Sequence, residues 1–169
     1  NMARIILFRH GKAEQPTANV ADFDRRLSSR GRRNADQMGA FLATQNMLPD
    51  QILVSPAART METLKIACQA WPKIEQIVCD SIYEATANGL LLLVAEKSSD
   101  ARNVMIIGHN PSLVVALNHM VEERHSDRNL SYFPTCCVAD VGFAVDKLGA
   151  ITPHEGTLLS MIRVRDLAA

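Results

Sequence analysis

Two arginines and two histidines draw attention because each stands where a short apolar run stops. Ile5–Phe8 runs into Arg9-His10-Gly11. Ile52-Leu53-Val54 stops at Ser55-Pro56, with Arg59 one turn further on, and Val104–Ile107 stops at Gly108-His109-Asn110-Pro111. A guanidinium offers paired donors to the oxygens of phosphate or carboxylate. A neutral imidazole nitrogen is a nucleophile or a proton carrier, and a glycine such as Gly11 lets the backbone approach an oxyanion closely. Each residue alone has an ordinary explanation: a structural histidine, an arginine paired with a carboxylate such as Glu14, a surface arginine. The coincidence of all four at three run endings is what points to a site.

Their positions sharpen the chemistry. A helix N-terminus carries roughly +0.5 of partial charge and disfavours cations. Yet Arg59 falls in a first helical turn and His109 directly ahead of a cap, placements that call for an anion nearby. Together with Arg9 and His10 they form a cationic nest suited to phosphate.

Other polar clusters carry less. His119 and His125 are about 240° apart on a helix and would not share a metal, and His154 has no evident partner. H-E-x-x-H, Walker A and G-x-S-x-G patterns are absent. The charged stretch holding Asp22, Asp24, Arg25, Arg26, Arg30, Arg32 and Arg33 reads as a solvated loop and helix start, or else as a rim that docks an acidic partner.

The elements that must position these residues alternate. Ile5–Phe8, Ile52–Val54, a weaker run near Ile77-Val78, and Val104–Ile107 read as buried strands. Helical spacing follows each: Ala35, Met38 and Phe41 or Leu42 after a Ser28 or Ser29 cap, then Met61, Leu64, Cys68 and Trp71. Asn88–Lys97 is a third helix, and Ser112–Val121 a fourth, with Asn110 as cap and Pro111 as its first residue. After Pro134 the pattern becomes strands over Cys137–Phe143, Ala150–His154 and Leu158–Val164. This order predicts an α/β fold, a three-layer α/β/α sandwich whose mostly parallel central sheet carries an antiparallel edge. In such sheets the carboxyl ends of the strands lie along one edge, where ligands bind.

Composition agrees with a globular protein. Of 169 residues, 47% are apolar and 21% charged, and 18 basic residues balance 18 acidic ones, so no overall field favours nucleic acid or a membrane surface. Residues 2–169 read as one domain, with Asn1 set aside. No apolar run reaches membrane-spanning length. Cys68, Cys79, Cys136 and Cys137 suit neither a disulfide framework nor a zinc site, which suggests a reducing, cytoplasmic setting.

Four stretches, in this order and in these contexts, resemble the histidine phosphatase (phosphoglycerate mutase-like) superfamily, and its short SixA-like phosphohistidine phosphatases in particular. They are Arg9-His10-Gly11, "DRRLSSRG" at Asp24–Gly31, "LVSPAARTMETL" at Leu53–Leu64 and "VMIIGHNPSL" at Val104–Leu113. The resemblance runs over about residues 3–165 and departs at Arg26, where close relatives usually have proline. It implies that His10 is a transiently phosphorylated nucleophile, that Arg9, Arg59 and His109 hold the phosphoryl oxygens, and that neither metal nor other cofactor is needed. Many members carry a general acid after the third strand, and Glu84 in "SIYEATA" is the nearest match. Short connections at Gln69–Ser81 and Glu123–Thr135 imply an open site that admits a phosphorylated histidine on a partner protein. The alternatives are a small phosphate ester hydrolysed with Glu84 as acid, or phosphate binding without catalysis. A monomer is the expectation.

Overall fold

The computed structural model describes residues 2–122 and 130–167. Ten principal elements follow the expected order. They are β1 (Ala3–Arg9), α1 (Ser29–Thr44), β2 (Gln51–Val54), α2 (Ala58–Ala67), β3 (Glu75–Val78), α3 (Ala87–Lys97), β4 (Asn103–Gly108), α4 (Ser112–Met120), β5 (Val138–Phe143) and β6 (Thr157–Ile162). The sheet order is β3-β2-β4-β1-β5-β6. The first four strands in that order are mutually parallel, and β5 and β6 complete the sheet antiparallel.

Alternation along the central strands explains the three layers. Ile5 and Leu7 of β1, with Val104 and Ile106 of β4, face a core shared with Leu90, Val94, Leu113 and Leu117 of α3 and α4. Ile6 and Phe8, with Met105 and Ile107, face Met38, Leu42, Leu64 and Ala67 of α1 and α2. Both faces of a strand are thereby buried, which is why these strands read as unbroken apolar runs. Ser28 caps α1 by accepting from the Gly31 N–H at 3.0 Å.

Four expectations are corrected. Met61 does not belong to the buried stripe of α2: it is exposed, and the inward face is Arg59, Thr60, Thr63, Leu64 and Ala67. The helix ends at Ala67, so buried Trp71 packs from beyond it and donates its indole N–H to Gly39 O at 2.9 Å. Pro111, joined to Asn110 by a cis peptide bond, precedes α4 as its cap residue, and the helix starts at Ser112. Ala150–His154 forms no strand. Leu148–Ala150 closes a 3-10 turn, Pro153 lacks a donor, and His154 has a φ of 67°, none of which suits a ladder. His154 instead stacks edge-on against His119 with ring centroids 4.7 Å apart. His125 and part of Glu123–Thr135 lie outside the described residues. No helix among the described residues is long and apolar enough to cross a membrane.

The loop after β1 is held against α1 by a close backbone approach. A Cβ on Gly31 would stand 2.0 Å from the carbonyl oxygen of Lys12, which no side-chain movement relieves. Gly31→Ala is therefore expected to lower unfolding free energy by about 2 kcal/mol or more, read from urea denaturation. An unchanged midpoint would show that the loop gives way freely.

Candidate active site

The three run endings meet because β2, β4 and β1 are neighbours in the sheet. The register sets Ile107 level with both Val54 and Phe8, and Gly108 level with Arg9. The residues that follow, Ser55, His109 and His10, consequently emerge side by side. The His10 and His109 rings lie 5.3 Å apart, and with Arg9 and Arg59 they line one cleft of about 300 Å³.

His10 is held by backbone on both sides: its N–H donates to Gly108 O at 3.2 Å and its carbonyl accepts from Cys136 N–H at 2.8 Å. Its Nδ1 lies 2.7 Å from the carbonyl oxygen of Gly11. A carbonyl only accepts, so Nδ1 carries the proton and the lone pair resides on Nε2. Burial, reinforced by the neighbouring His109, Arg59 and Arg9, pushes the imidazole down to about 3, which keeps that lone pair free at neutral pH.

His109 pairs through Nε2 with Ser55 Oγ at 2.8 Å. Ser55 Oγ already accepts from Ala57 N–H at 3.3 Å and has its own proton to give. Donated to Nε2, that proton leaves His109 with an Nδ1–H that has no partner among the described residues. Burial and then the Arg59 charge lower His109 to about 4.

Arg9 donates from Nη1 to Phe133 O at 3.1 Å, and the same oxygen accepts from Asn110 Nδ2 at 2.8 Å. Arg59, only 7% exposed, donates from Nη1 to Asp22 O at 2.8 Å and from Nη2 to Asp22 Oδ2 at 3.0 Å. Tyr83 donates its hydroxyl to the same Oδ2 at 2.6 Å, and Arg25 takes Oδ1 at 3.0 Å. The Tyr83 hydroxyl first, then Arg25 and Arg59, hold the Asp22 carboxyl well below the usual carboxylate range. Asp22 stays exposed to solvent, as the sequence suggests, and is in addition tied to Arg59 of the site. Part of the anion that Arg59's position calls for is supplied by the chain itself. Neither Asp22 nor Tyr83 carries a motif that would have marked it, because each meets Arg59 or His109 from a segment without periodicity.

Two candidate residues sit differently from expectation. The Gly11 N–H donates to Thr63 Oγ1 at 3.0 Å, so it is not free for an oxyanion. Gly11 is required for another reason, since a Cβ there would meet Gly31 O at 2.9 Å. Glu84 is exposed and is not among the residues that line the cleft; its neighbour Tyr83 packs edge-on against His109 and bonds Asp22.

With this geometry in view, the comparisons with known proteins decide the family. The family model described as histidine phosphatase superfamily (branch 1) matches residues 5–90, half of the chain. The chain belongs to this superfamily. A Mycobacterium leprae protein named only as uncharacterised is 30% identical over 145 residues, covering 80% of this chain and 87% of its own. A chloroplastic Arabidopsis thaliana protein, likewise uncharacterised, is 33% identical over 117 residues. That match spans 63% of this chain and about half, 54%, of the plant protein. Among solved structures, one provisionally named the phosphohistidine phosphatase SixA, from Agrobacterium tumefaciens, superposes with a TM-score of 0.80 at 28% identity, over 95% of this chain and 97% of that one. The protein histidine phosphatase SixA complexed with tungstate has the same fold, with a TM-score of 0.73 at 22% identity over 98% and 99% of the two chains. This histidine phosphatase superfamily chain is SixA-like in structure.

The tautomer and the burial of His10 lead to a measurable consequence. In ¹⁵N imidazole spectra His10 should remain neutral, protonated on Nδ1, at about pH 5, well below the ordinary midpoint of 6.5. A midpoint near 6.5 would show that the ring is solvated.

Proposed function

We propose that the chain is a phosphatase that works through a phosphohistidine intermediate on His10 and removes phosphate from phosphorylated histidine on a partner protein. The observation that carries this reading is the His10 ring itself: Nδ1–H locked on Gly11 O, Nε2 open, and cations on either side. In the first half-reaction Nε2 attacks phosphorus and the bond to the leaving group breaks, its electron pair departing with that group. Arg9, Arg59 and His109 line the cleft around the phosphoryl oxygens, where charge stays concentrated through the transfer. The phosphorylated ring is an imidazolium whose remaining proton is the one held by Gly11 O. In the second half-reaction water attacks phosphorus, and the P–N electron pair returns to Nε2. His10 leaves neutral without needing a proton, while the proton lost by water departs with inorganic phosphate or to solvent. No step calls on a metal ion.

The preference for a P–N substrate follows from what lines the cleft. An alkyl phosphate must lose a strongly basic alkoxide and needs a general acid, whereas a protonated imidazole leaves as a neutral amine. Glu84, the residue suggested for the acid, stands outside the cleft lining. The Agrobacterium neighbour, matched along nearly its whole length, bears a phosphohistidine phosphatase name, in keeping with this reading.

Brief incubation with a ³²P-labelled phosphodonor and an alkaline quench should trap an acid-labile, alkali-stable phosphoenzyme that His10→Ala abolishes. Labelling that persists in His10→Ala, or turnover with no labelled wild type, rules out His10 as the nucleophile. Glu84→Gln should change hydrolysis of a phosphohistidine protein by less than about twofold. Loss of ester hydrolysis alone, with esters the better substrates of the wild type, would instead favour a phosphomonoesterase that uses Glu84.

A further inference from the structure

The cleft contains one feature that an anion site should not favour. Glu14, an exposed residue, is the single carboxylate among the described residues that line it, in company with Arg9, Arg59 and the two histidines. Its backbone is fixed: its N–H donates to Arg26 O at 2.8 Å and its carbonyl accepts from Arg25 Nη1 at 2.9 Å. The adjoining Ala13 bridges to Leu27. Its carboxylate, in contrast, has no hydrogen bond or ion pair among the described residues, although Arg25 and Lys12 line the same cleft. Asp22, the carboxylate that binds Arg59, is saturated by Arg59, Arg25 and Tyr83.

An unpaired negative charge at the mouth of a phosphate cleft weakens binding of a phosphate dianion. It becomes useful when the substrate brings a positive group along with the phosphate. We propose that Glu14 is a specificity-determining residue that accepts a hydrogen bond from the far ring N–H of the substrate's phosphoimidazolium. This rests on the phosphohistidine reading above and deepens it.

The chemistry of the exchange supports the assignment. Phosphoryl transfer from one imidazole to another is nearly symmetric. On the enzyme side, Nε2 forms the new P–N bond while Nδ1–H is held by Gly11 O at 2.7 Å. On the substrate side, the old P–N bond breaks and its electron pair returns to the ring nitrogen. That ring departs neutral only if its other nitrogen carries a proton, and Glu14 is the cleft's carboxylate acceptor for that N–H. No proton moves in the step, so Glu14 acts as an ionised carboxylate and stabilises the protonated, reactive form of the substrate.

The discriminating measurement is a ratio of kcat/KM values for two substrates. One is a phosphohistidine peptide. The other is p-nitrophenyl phosphate, whose leaving group has no N–H and is stable as an anion. Glu14→Gln should lower the phosphohistidine-to-aryl ratio by about tenfold, because a charge-assisted hydrogen bond is replaced by a neutral one. Glu14→Asp, which keeps the charge, should recover part of the loss. An unmoved ratio overturns the proposal, whether both activities fall together, as for a purely structural residue, or neither changes. His10 labelling separates the levels. If both enzymes label at His10 and the ratio is unmoved, only the role of Glu14 fails. If the wild type turns over phosphohistidine without labelling, the parent mechanism fails and takes this proposal with it.

Discussion

One hydrogen bond sets the chemistry of the sheet edge: His10 Nδ1–H to the carbonyl of the next residue, Gly11, at 2.7 Å. It assigns the ring's only proton to one nitrogen and leaves the other as a lone pair. The bond requires Gly11 to be held in one conformation, and contacts on both sides of the residue see to that. The Gly11 N–H donates to Thr63 Oγ1, and the Thr63 hydroxyl donates in turn to Arg59 O at 2.7 Å. The absence of a Cβ lets Gly11 lie against Gly31. Gly11 therefore fixes the tautomer of His10 through its carbonyl and, through its N–H and one buried threonine, connects to the backbone of Arg59.

The electrostatics show how the fold tolerates such a site. The guanidinium groups of half-buried Arg9 and buried Arg59 and two imidazoles share a small cleft with Arg25 and Lys12, and burying charge near like charge is costly. The imidazoles respond by staying neutral, as their downward shifts record. The arginines cannot, so each finds an oxygen acceptor: Phe133 O for Arg9, and Asp22 O and Oδ2 for Arg59. These acceptors leave the Nε atoms of both arginines and Nδ1 of His109 without a partner among the described residues. The cations that cannot neutralise themselves keep this edge electropositive toward a bound oxyanion.

Much of this was legible in the sequence, and the parts that were not share a cause. The central strands were readable because burial on both faces makes them plain apolar runs, and the exits of β1, β2 and β4 carried the four charged or imidazole groups. The periodicity of α2 misled at Met61 because the helix turns Arg59, Thr60 and Thr63 inward. A helix face that serves a site is polar where a packing face would be apolar. Asp22, Tyr83 and Phe133 O escaped notice for a different reason. The first two arrive from irregular loops without periodicity, and the third is a backbone carbonyl, which no residue type announces. Asp22 shows the limit of the charge argument as well. A first-turn arginine does imply a nearby anion, but the sequence cannot say whether the chain or a ligand provides it.

The two halves of the cleft are held by unlike means, and this bears on how it could work. His10 extends from the strand between β4 and β5, and its peptide groups are bonded to Gly108 and Cys136, so its position moves only with the sheet. Arg59 is oriented by Asp22, whose side chain is 55% exposed and sits on a short 3-10 turn. Tyr83 connects that turn to the loop before α3, packing edge-on against both Phe23 and His109. Exposed ion pairs are weaker and more readily exchanged than backbone ladders. A phosphoryl group meeting this cleft therefore finds a fixed lone pair on one side and, on the other, a guanidinium whose internal counter-ion can share it. The attacking nitrogen needs positional accuracy and the charge clamp needs only to follow the oxygens, and the structure distributes rigidity accordingly.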